Sequence, residues 1–325
     1  MAERRIDLQA HFMPQSYIRA LLDRPGPPTI RREGGAYRFQ YGPDSSYLIT
    51  RASLDIAELL EQMDHNGIEL EVLSINLPGA ELLDEAGGIA LARAVNDEFA
   101  SIIKSYPGRF SALATLCYRN VDQALCEMER CHKLGFAGAM LFSNVMGLYL
   151  DDKRLWPLYE RAQRLDIPLY LHPTTPLIAP HVRDYGLEGM LGYVYDTSLA
   201  ALRLILSGVF DAYPRLKLVV PHAGGVLPWL AARIDHQSRL IPGAARHISA
   251  LPSQYIARLY LDTVCLSADN LRFALQMVGP EHLLFATDYP FVPMEATIDT
   301  IDRLHLPPEQ RKLLFSGNAE QLFHL

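Results

Sequence analysis

The chain has 325 residues, a formal net charge of −7 and a hydrophobic fraction of 49%, a composition typical of a globular protein with a large buried core. Its mild acidity and its lack of any lysine or arginine run argue against a nucleic-acid-binding surface. No apolar run is long enough to cross a membrane, and residues 1–7 lack the apolar core of a signal peptide. The four cysteines form no Cys-x-x-Cys pair and fit free thiols, so we expect a cytoplasmic protein.

Short apolar runs alternate with amphipathic stretches along most of the chain. Several runs are apolar throughout, which is typical of parallel strands buried on both faces. The predicted strands are 5–12, 69–75, 110–117, 137–142, 168–172, 217–221, 259–264 and 283–287. The predicted helices are 53–65, 86–106, 121–134, 153–165, 199–213, 227–239, 268–278 and 294–304. Eight strand–helix units in this order predict an α/β fold, a (β/α)8 TIM barrel that forms a single domain over residues 1–325.

Two segments interrupt the strand–helix repeat. Residues 24–49, after the first strand, are rich in Gly, Pro, Arg and Tyr, and we expect a flap or hairpin over the barrel mouth. Residues 174–195 follow the fifth strand and include His181. Both segments follow the carboxyl end of a strand, the face on which TIM-barrel active sites form. His181 is therefore a candidate for contacting substrate. Residues 307–325 predict closing helices with a break at the Gly-Asn pair 317–318.

Three histidines and one aspartate end predicted strands or follow them directly. They are His11, His172, His222 and Asp288, and each precedes a Pro, a Gly or a turn. We expect them to cluster at the barrel mouth. Imidazole nitrogen and carboxylate oxygen bind divalent metals, and a catalytic site needs about three such ligands plus an open position. The sequence therefore predicts one divalent metal on His11, His172 and Asp288, with zinc expected first and manganese or magnesium left open.

His222 precedes Ala-Gly-Gly, and glycines there let backbone and ligand approach closely. Because imidazole titrates near neutrality, His222 is suited to positioning or deprotonating a bound water or substrate group. The same position also allows it to be a further metal ligand, and both readings stay open.

The motifs that contain these residues, taken in chain order, resemble a known family. The motifs are Asp7-x-x-x-His11-Phe12-x-Pro14, Leu171-His172-Pro173, Pro221-His222-Ala223-Gly224-Gly225, Phe285-Ala286-Thr287-Asp288-Tyr289-Pro290-Phe291 and Gly317-Asn318-Ala319. Together they resemble the amidohydrolase superfamily. Within it they are similar to the decarboxylases of 2-amino-3-carboxymuconate-6-semialdehyde, γ-resorcylate and 6-methylsalicylate.

The resemblance implies a role for each matching residue. The first strand would supply two metal ligands, at the positions of Gln9 and His11, and His172 and Asp288 would complete the shell. His222 would be the catalytic histidine.

The resemblance also implies substrate contacts. Arg51, just before the first barrel helix, would hold a substrate carboxylate, for which a guanidinium is suited by its bidentate geometry. Arg233, eleven residues after His222, would reach into a neighbouring subunit's site. This implies a homodimer or a higher homo-oligomer. Phe291 would lie beside the substrate.

Gln9 departs from the family pattern, in which this position is His, or Glu in some aromatic-acid decarboxylases. A glutamine offers only a neutral carbonyl oxygen, which is a weak ligand for zinc. It would complete a weaker metal site, hydrogen-bond a bound water, or mark a site that has lost its metal.

We expect the chain to be a lyase, a metal-dependent non-oxidative decarboxylase of a small aromatic or unsaturated carboxylic acid. The metal would chelate the substrate, and Asp288 or a water held by His222 would protonate the carbon that bears the carboxylate. The same ligands also fit a metal-dependent hydrolase or hydratase of the superfamily. A metal-free barrel that binds a small acid is a third reading, for which Gln9 is the main support.

Overall fold

The structure, a computed structural model, describes residues 3–22, 24–41 and 46–325. Within these ranges the strands are β1 (Ile6–His11), β2 (Thr29–Glu33), β3 (Ala36–Gln40), β4 (Ser46–Leu48), β5 (Leu70–Ser74), β6 (Phe110–Ala114), β7 (Gly138–Phe142), β8 (Asn144–Val145), β9 (Leu148–Tyr149), β10 (Leu169–His172), β11 (Leu218–Val220), β12 (Tyr260–Asp262) and β13 (Leu283–Leu284). The α-helices are α1 (Gln15–Leu21), α2 (Ile56–His65), α3 (Glu85–Ser105), α4 (Val121–Lys133), α5 (Trp156–Leu165), α6 (Tyr193–Leu206), α7 (Val209–Ala212), α8 (Leu227–Leu240), α9 (Pro252–Ile256), α10 (Ala268–Val278), α11 (Met294–Asp302), α12 (Pro308–Lys312) and α13 (Asn318–Phe323).

Eight parallel strands form a barrel, which confirms the predicted (β/α)8 TIM-barrel fold. In the described part of the chain their order around the sheet is β1-β5-β6-β7-β10-β11-β12-β13, so each new barrel strand pairs with the preceding one. Hydrogen bonds between β1 and the segment after β13 close the ring: Leu8 N–H donates to Phe285 O at 3.1 Å, and Asp288 N–H donates to Gln9 O at 3.0 Å. All eight strands lie within the predicted ranges.

The barrel is a packed core rather than a pore. Side chains that point inward fill it, among them Leu8, Val72, Tyr170 and Leu284, all of which are fully buried. A second apolar layer lies between the strands and the surrounding helices. This two-layer packing fixes the strand ends, and therefore fixes the side chains that project from them at the mouth.

Polar residues begin several of the barrel helices. The side chain of Asp55 accepts from Ala57 N–H at the start of α2, and Asn120 accepts from Gln123 N–H at the start of α4. Such caps satisfy backbone donors that have no partner inside the helix. They help to fix the residue at which each of these two helices begins.

A bulge in β1 aims the side chains of the first strand. The pairing of β1 with β5 shifts between Asp7 and Ala10, so that β1 has one residue more than β5 over this stretch. Asp7 is fully buried, and Thr287 Oγ1 donates to its Oδ2 at 2.5 Å. Gln9 and His11 both turn inward, as their contacts with Tyr170 and His172 show. Bulges commonly redirect side chains in this way beside active sites.

The insertion predicted over residues 24–49 contains a three-stranded antiparallel sheet, β2-β3-β4. The part of that prediction at residues 42–45 lies outside the described residues. Phe39 on β3 is fully buried, so this sheet packs against the barrel and does not stand free in solvent.

Two local features differ from the sequence analysis. Helix α1 was not predicted, because it has only 7 residues and no side-chain cap, although it buries Tyr17, Ile18 and Leu21. The break predicted at 317–318 is a π-helical turn, Leu313–Gly317, that continues into α13. Asn318 explains the continuity, since its Nδ2 donates to Leu283 O at 2.7 Å and ties the turn to β13. None of the helices in the described ranges has the length and apolarity needed to span a bilayer.

Candidate metal centre and active site

Three of the strand-end residues come together at the barrel mouth. His11 ends β1, His172 ends β10 and Asp288 lies four residues after β13. The ligand atoms of these side chains all lie within 4.8 Å of one another. His11 Nε2 is 3.2 Å from His172 Nε2 and 3.0 Å from Asp288 Oδ1. Both imidazoles are buried, and the Asp288 side chain is 14% exposed.

Both histidines are held through Nδ1 and direct Nε2 into the cluster. His172 Nδ1 lies 2.7 Å from Pro173 O, a pure acceptor, so Nδ1 carries the proton and Nε2 offers a lone pair. Burial, and then the neighbouring His11, hold the pKa of His172 well below its usual range, so this ring is neutral. His11 Nδ1 lies 3.2 Å from Ser74 Oγ. A histidine whose other nitrogen is held in this way is the usual form of a metal ligand.

This donor set fits a divalent metal. Two imidazole nitrogens and a carboxylate oxygen converge on one point, and a carboxylate beside two lone pairs calls for positive charge between them. The cluster also borders an open cavity, through which a substrate would reach the remaining coordination positions.

Gln9 is buried beside the cluster, but its carbonyl oxygen does not face it. Gln9 Nε2 donates to Asp288 Oδ1 at 3.2 Å, and Gln9 Oε1 accepts from the Tyr170 hydroxyl at 3.0 Å. The direction of the amide follows from Asp288, because a carboxylate only accepts hydrogen bonds. In this arrangement Gln9 holds Asp288 and offers no ligand atom to a metal.

His222 lies on the opposite side of Asp288, in a tight turn after β11. Its Nε2 is 4.0 Å from Asp288 Oδ2, and its Nδ1 is buried without a hydrogen-bond partner among the described residues. The turn is strained, since His222 and Ala223 have φ values of 57° and 54°. An imidazole held this close to a carboxylate is well placed to exchange a proton with it.

The cavity above the cluster is an aromatic slot of about 350 Å³. Phe291 forms one wall, with its ring centroid 5.7 Å from His11 and 5.0 Å from Tyr47 in edge-on contacts. Tyr47 accepts from Asn76 Nδ2 at 3.3 Å. Burial raises the pKa of Tyr47, so its hydroxyl stays neutral. The described residues that line the cavity include no lysine or arginine; they are Phe39, Tyr41, Tyr47, Asn76, Leu77, His172, Pro173, Gly189, Tyr193, Val194, His222, Asp288 and Phe291.

Several of these lining residues were not predicted from the sequence, among them Phe39, Tyr41, Tyr47 and Asn76. The first three lie in the 24–49 insertion, whose high tyrosine content and position after the first strand were the available signals. Asn76 follows β5, a strand end that carries no histidine or carboxylate and therefore gave no signal.

Two residues assigned to substrate binding lie outside the cavity of this chain. The Arg51 side chain is 78% exposed and forms an ion pair with Glu58 at 2.8 Å. Glu58, in the first turn of α2, holds the Arg51 guanidinium at the surface. His181 is exposed in a single helical turn, Ala179–His181, and does not line the cavity. In the single chain neither residue reaches the cavity, and their substrate contacts stay predictions.

Arg233 is exposed on α8 and also lies outside this cavity. Trp229, four residues earlier on the same face of α8, is 77% exposed, and its ring lies 5.6 Å from that of Phe273. An exposed tryptophan packed against a second exposed aromatic ring makes an apolar surface patch next to this arginine.

The chain is similar to known proteins over nearly its whole length. Residues 6–325 match the model of the amidohydrolase family. The γ-resorcylate decarboxylase of Polaromonas sp. strain JS666 is 34% identical over 338 residues, which cover 99% of this chain and 98% of the relative. The crystal structure of 5-carboxyvanillate decarboxylase from Sphingomonas paucimobilis superposes with a TM-score of 0.88 at 29% identity and covers 100% of both chains. A dihydroxybenzoic acid decarboxylase from Polaromonas sp. JS666, with bound manganese and the inhibitor 2-nitroresorcinol, has a TM-score of 0.81 at 30% identity, over 100% of this chain and 98% of its own.

Proposed function

The chain belongs to the amidohydrolase family, and we propose from this that it is a metal-dependent, non-oxidative decarboxylase, a carboxy-lyase that acts on a small aromatic carboxylic acid. The observation that carries the proposal is the convergence of His11, His172 and Asp288 at the floor of an aromatic cavity. The γ-resorcylate and 5-carboxyvanillate decarboxylases to which the chain is similar act on such acids, as their names state.

We assign the metal to His11, His172 and Asp288. When bound, a divalent metal would supply the positive charge that neutralises and orients a carboxylate and an adjacent ring oxygen. Gln9 would not ligate it, because its amide nitrogen faces Asp288 and its oxygen is held by Tyr170. Gln9 would instead keep the Asp288 carboxylate in the orientation that binding requires.

We favour manganese over the zinc expected from the sequence. A relative of 30% identity binds manganese, and a set of two imidazoles and one carboxylate is compatible with either ion. Elemental analysis of protein purified without added metal tests this choice. A stoichiometric zinc content would reverse it.

The cavity walls would bind and orient the substrate ring. Phe291 and Tyr47 present an edge-on aromatic pair that an aromatic acid can stack against. The neutral hydroxyl of Tyr47 offers a hydrogen bond to a ring substituent. Because the described residues that line the cavity include no lysine or arginine, the carboxylate of the substrate would lie toward the metal ligands and not toward the aromatic walls.

Asp288 and His222 would handle the proton. Asp288 Oδ1 faces His11, whereas Oδ2 faces His222. A proton on Asp288 Oδ2 would pass to the ring carbon that bears the carboxylate. The bond from that carbon to the carboxylate then breaks, its electron pair restores the aromatic ring, and CO2 leaves. His222 would return a proton to Asp288 from solvent.

A panel of hydroxybenzoates tests the reaction. We expect CO2 release from at least one ortho-hydroxybenzoate with manganese-loaded protein. In heavy water the phenolic product should carry one deuterium at the carbon that lost the carboxylate. Absence of turnover with manganese-, zinc- and magnesium-loaded protein would contradict the proposal. Incorporation of labelled oxygen from water would indicate a hydrolase or hydratase.

We also propose that the active unit is a homodimer or a higher homo-oligomer. The support is the patch of Trp229 and Phe273 beside Arg233 on α8, since exposed aromatic residues and arginine are enriched at interfaces. Arg233→Ala should raise KM if this arginine reaches a neighbour's cavity, while Arg239→Ala, a matched exposed arginine on α8, should not. A fully active monomer in sedimentation would contradict the shared site.

We propose a cytoplasmic location for the protein. All four cysteines, Cys117, Cys126, Cys131 and Cys265, are free thiols in the structure, as is usual in reducing compartments. Fractionation of source cells tests this assignment, and recovery in an oxidising compartment would contradict it.

A further inference from the structure

A chain of buried hydrogen bonds connects the metal cluster to the end of β12. Gln9 Nε2 donates to Asp288 Oδ1 at 3.2 Å, and Gln9 Oε1 lies 3.0 Å from the Tyr170 hydroxyl. The same hydroxyl lies 2.8 Å from Asp262 Oδ2. The three residues whose side chains form these hydrogen bonds are each at most 1% exposed, namely Gln9, Tyr170 and Asp262. The row of hydrogen bonds is therefore shielded from water along its length. Asp262 does not line the cavity and plays no part in the mechanism described above.

The number of protons available to these hydrogen bonds determines which group donates in each of them. A phenol has one proton, and Gln9 Oε1 can only accept, so Tyr170 must donate to Gln9 if that oxygen is to be satisfied. Asp262 Oδ2 then has to donate to Tyr170, which requires a neutral Asp262. Burial raises the pKa of Asp262, which favours this neutral form. Every donor in this row of hydrogen bonds then points from Asp262 toward Asp288, and every acceptor in the row has a donor.

The other oxygen of Asp262 holds the turn that carries His222. Asp262 Oδ1 accepts from Ala223 N–H at 3.1 Å and from Val264 N–H at 3.1 Å. His222 and Ala223 both have positive φ, a conformation that non-glycine residues adopt only where their surroundings enforce it. Asp262 therefore supports both residues that we assign to proton handling, His222 through the backbone and Asp288 through Tyr170 and Gln9.

We propose that Asp262 is a positioning residue that fixes the relative geometry of His222 and Asp288, and that Tyr170 directs the Gln9 amide nitrogen to Asp288. The inference rests on the proposed decarboxylase function for its kinetic consequences, but its effect on metal binding stands independently. It also assigns a reason for glutamine at position 9, where the resemblance implies a ligand: here the amide bridges Tyr170 and the carboxylate.

Asp262 acts through two arms: side-chain hydrogen bonds through Tyr170 and Gln9 to Asp288, and the hydrogen bond from Ala223 N–H that holds the His222 turn. Three variants separate these two arms. Tyr170→Phe removes only the arm through Gln9, and we expect it to weaken manganese affinity by about 10-fold, as losses of a ligand's supporting hydrogen bond do. Asp262→Ala removes both arms and should lower kcat by about 100-fold as well. Asp262→Asn can still accept from Ala223 N–H and donate to Tyr170, so it should restore metal affinity and kcat to within about 3-fold of wild type.

A buried tyrosine elsewhere provides the matched control. The Tyr159 hydroxyl donates to Leu150 O at 2.6 Å and is equally buried on α5. Tyr159→Phe should lower the thermal midpoint without changing manganese affinity. In a Gln9→Ala background, Tyr170→Phe should cause no further loss of affinity, because the arm is already broken.

Manganese affinity is measured by titration with electron paramagnetic resonance, and it remains informative even if no substrate is turned over. Unchanged affinity in Tyr170→Phe, additive losses in the Gln9→Ala background, or an Asp262→Asn variant as impaired as Asp262→Ala would each overturn the inference. Failure of the wild type to release CO2, with the affinity pattern intact, would contradict the proposed function and leave this inference standing.

Discussion

His11 and His172 direct their Nε2 atoms at each other across 3.2 Å, with ring planes 87° apart. His172 is neutral and its Nδ1 carries the proton, so its Nε2 brings a lone pair to this contact. Asp288 Oδ1 approaches the same point. A cation at this point would be bound by both imidazoles and by the carboxylate.

Metal binding should stabilise the folded protein. A ligand at 100 times its Kd adds about 2.7 kcal/mol to the free energy of unfolding, so the thermal midpoint of chelator-treated protein should rise when manganese is added. In His172→Ala the rise should be lost, because only two ligands remain. His181→Ala is the control, since His181 is exposed and outside the cavity; its response should equal that of the wild type. A full response in His172→Ala would mean that the metal binds elsewhere.

Gln9→Glu should make the protein more dependent on metal. The new carboxylate would lie near Asp288 Oδ1, which is 3.2 Å from the Gln9 amide nitrogen, and two buried like charges repel. We expect a lower thermal midpoint without metal and a larger rise when manganese is added. Gln123→Glu, on the exposed face of α4, controls for the change in net charge. If manganese raised the thermal midpoint of both variants equally, the charge at position 9 would have no effect on metal binding.

Phe291 should contribute to substrate binding more than to chemistry. Its ring makes edge-on contacts with His11 and Tyr47, and aromatic pairs contribute about 0.5–1.5 kcal/mol each beyond buried area. Phe291→Ala should raise KM for the aromatic acid by roughly 10-fold with little change in kcat, as measured by steady-state CO2 release. Phe291→Tyr keeps the ring and should stay close to wild type. A fall in kcat alone would place Phe291 in the proton-handling machinery instead.

Glu81 should make stability depend on pH. Burial raises the pKa of Glu81 from 4.5 to about 7, and its Oε2 has no hydrogen-bond partner in the described part of the chain. Between these two values the unfolded chain loses the proton while the folded chain keeps it, so the free energy of unfolding should fall as pH rises from 4.5 through 7. A shift of this size corresponds to roughly 3 kcal/mol.

Glu81→Gln keeps the shape of the protonated side chain and removes its titration. Urea unfolding at pH 5 and pH 8 should therefore show a smaller loss of stability for this variant than for the wild type. The other buried carboxyls titrate in both proteins, so the difference isolates Glu81. Parallel pH profiles would show that Glu81 ionises equally in the folded and unfolded chains.

The eight strands and the metal cluster could be predicted because both follow from local patterns. Continuous apolar runs mark strands buried on both faces, and parallel barrel strands bring their carboxyl ends to one mouth. His11 and His172 are 161 residues apart in the chain. The position of each at a strand end was nevertheless enough to predict that both lie at the barrel mouth.

The rest of the site depends on side-chain directions that strand position does not determine. The orientation of Gln9 is set by Tyr170 and, through it, by Asp262. Arg51 occupies the expected place in the chain, but its guanidinium follows Glu58 to the surface. The aromatic walls come largely from the 24–49 insertion, where composition predicted a flap without showing which rings face the cavity.

We expect that a divalent metal held by His11, His172 and Asp288 supports decarboxylation of an aromatic acid. The most direct test of this claim is a titration of chelator-treated protein with manganese, in which bound metal and CO2 release from an ortho-hydroxybenzoate are measured on the same samples. We predict that activity rises in proportion to occupancy, saturates at one metal per chain, and is absent in His172→Ala at every manganese concentration. Full activity in the metal-free wild type, or in His172→Ala, would contradict the claim.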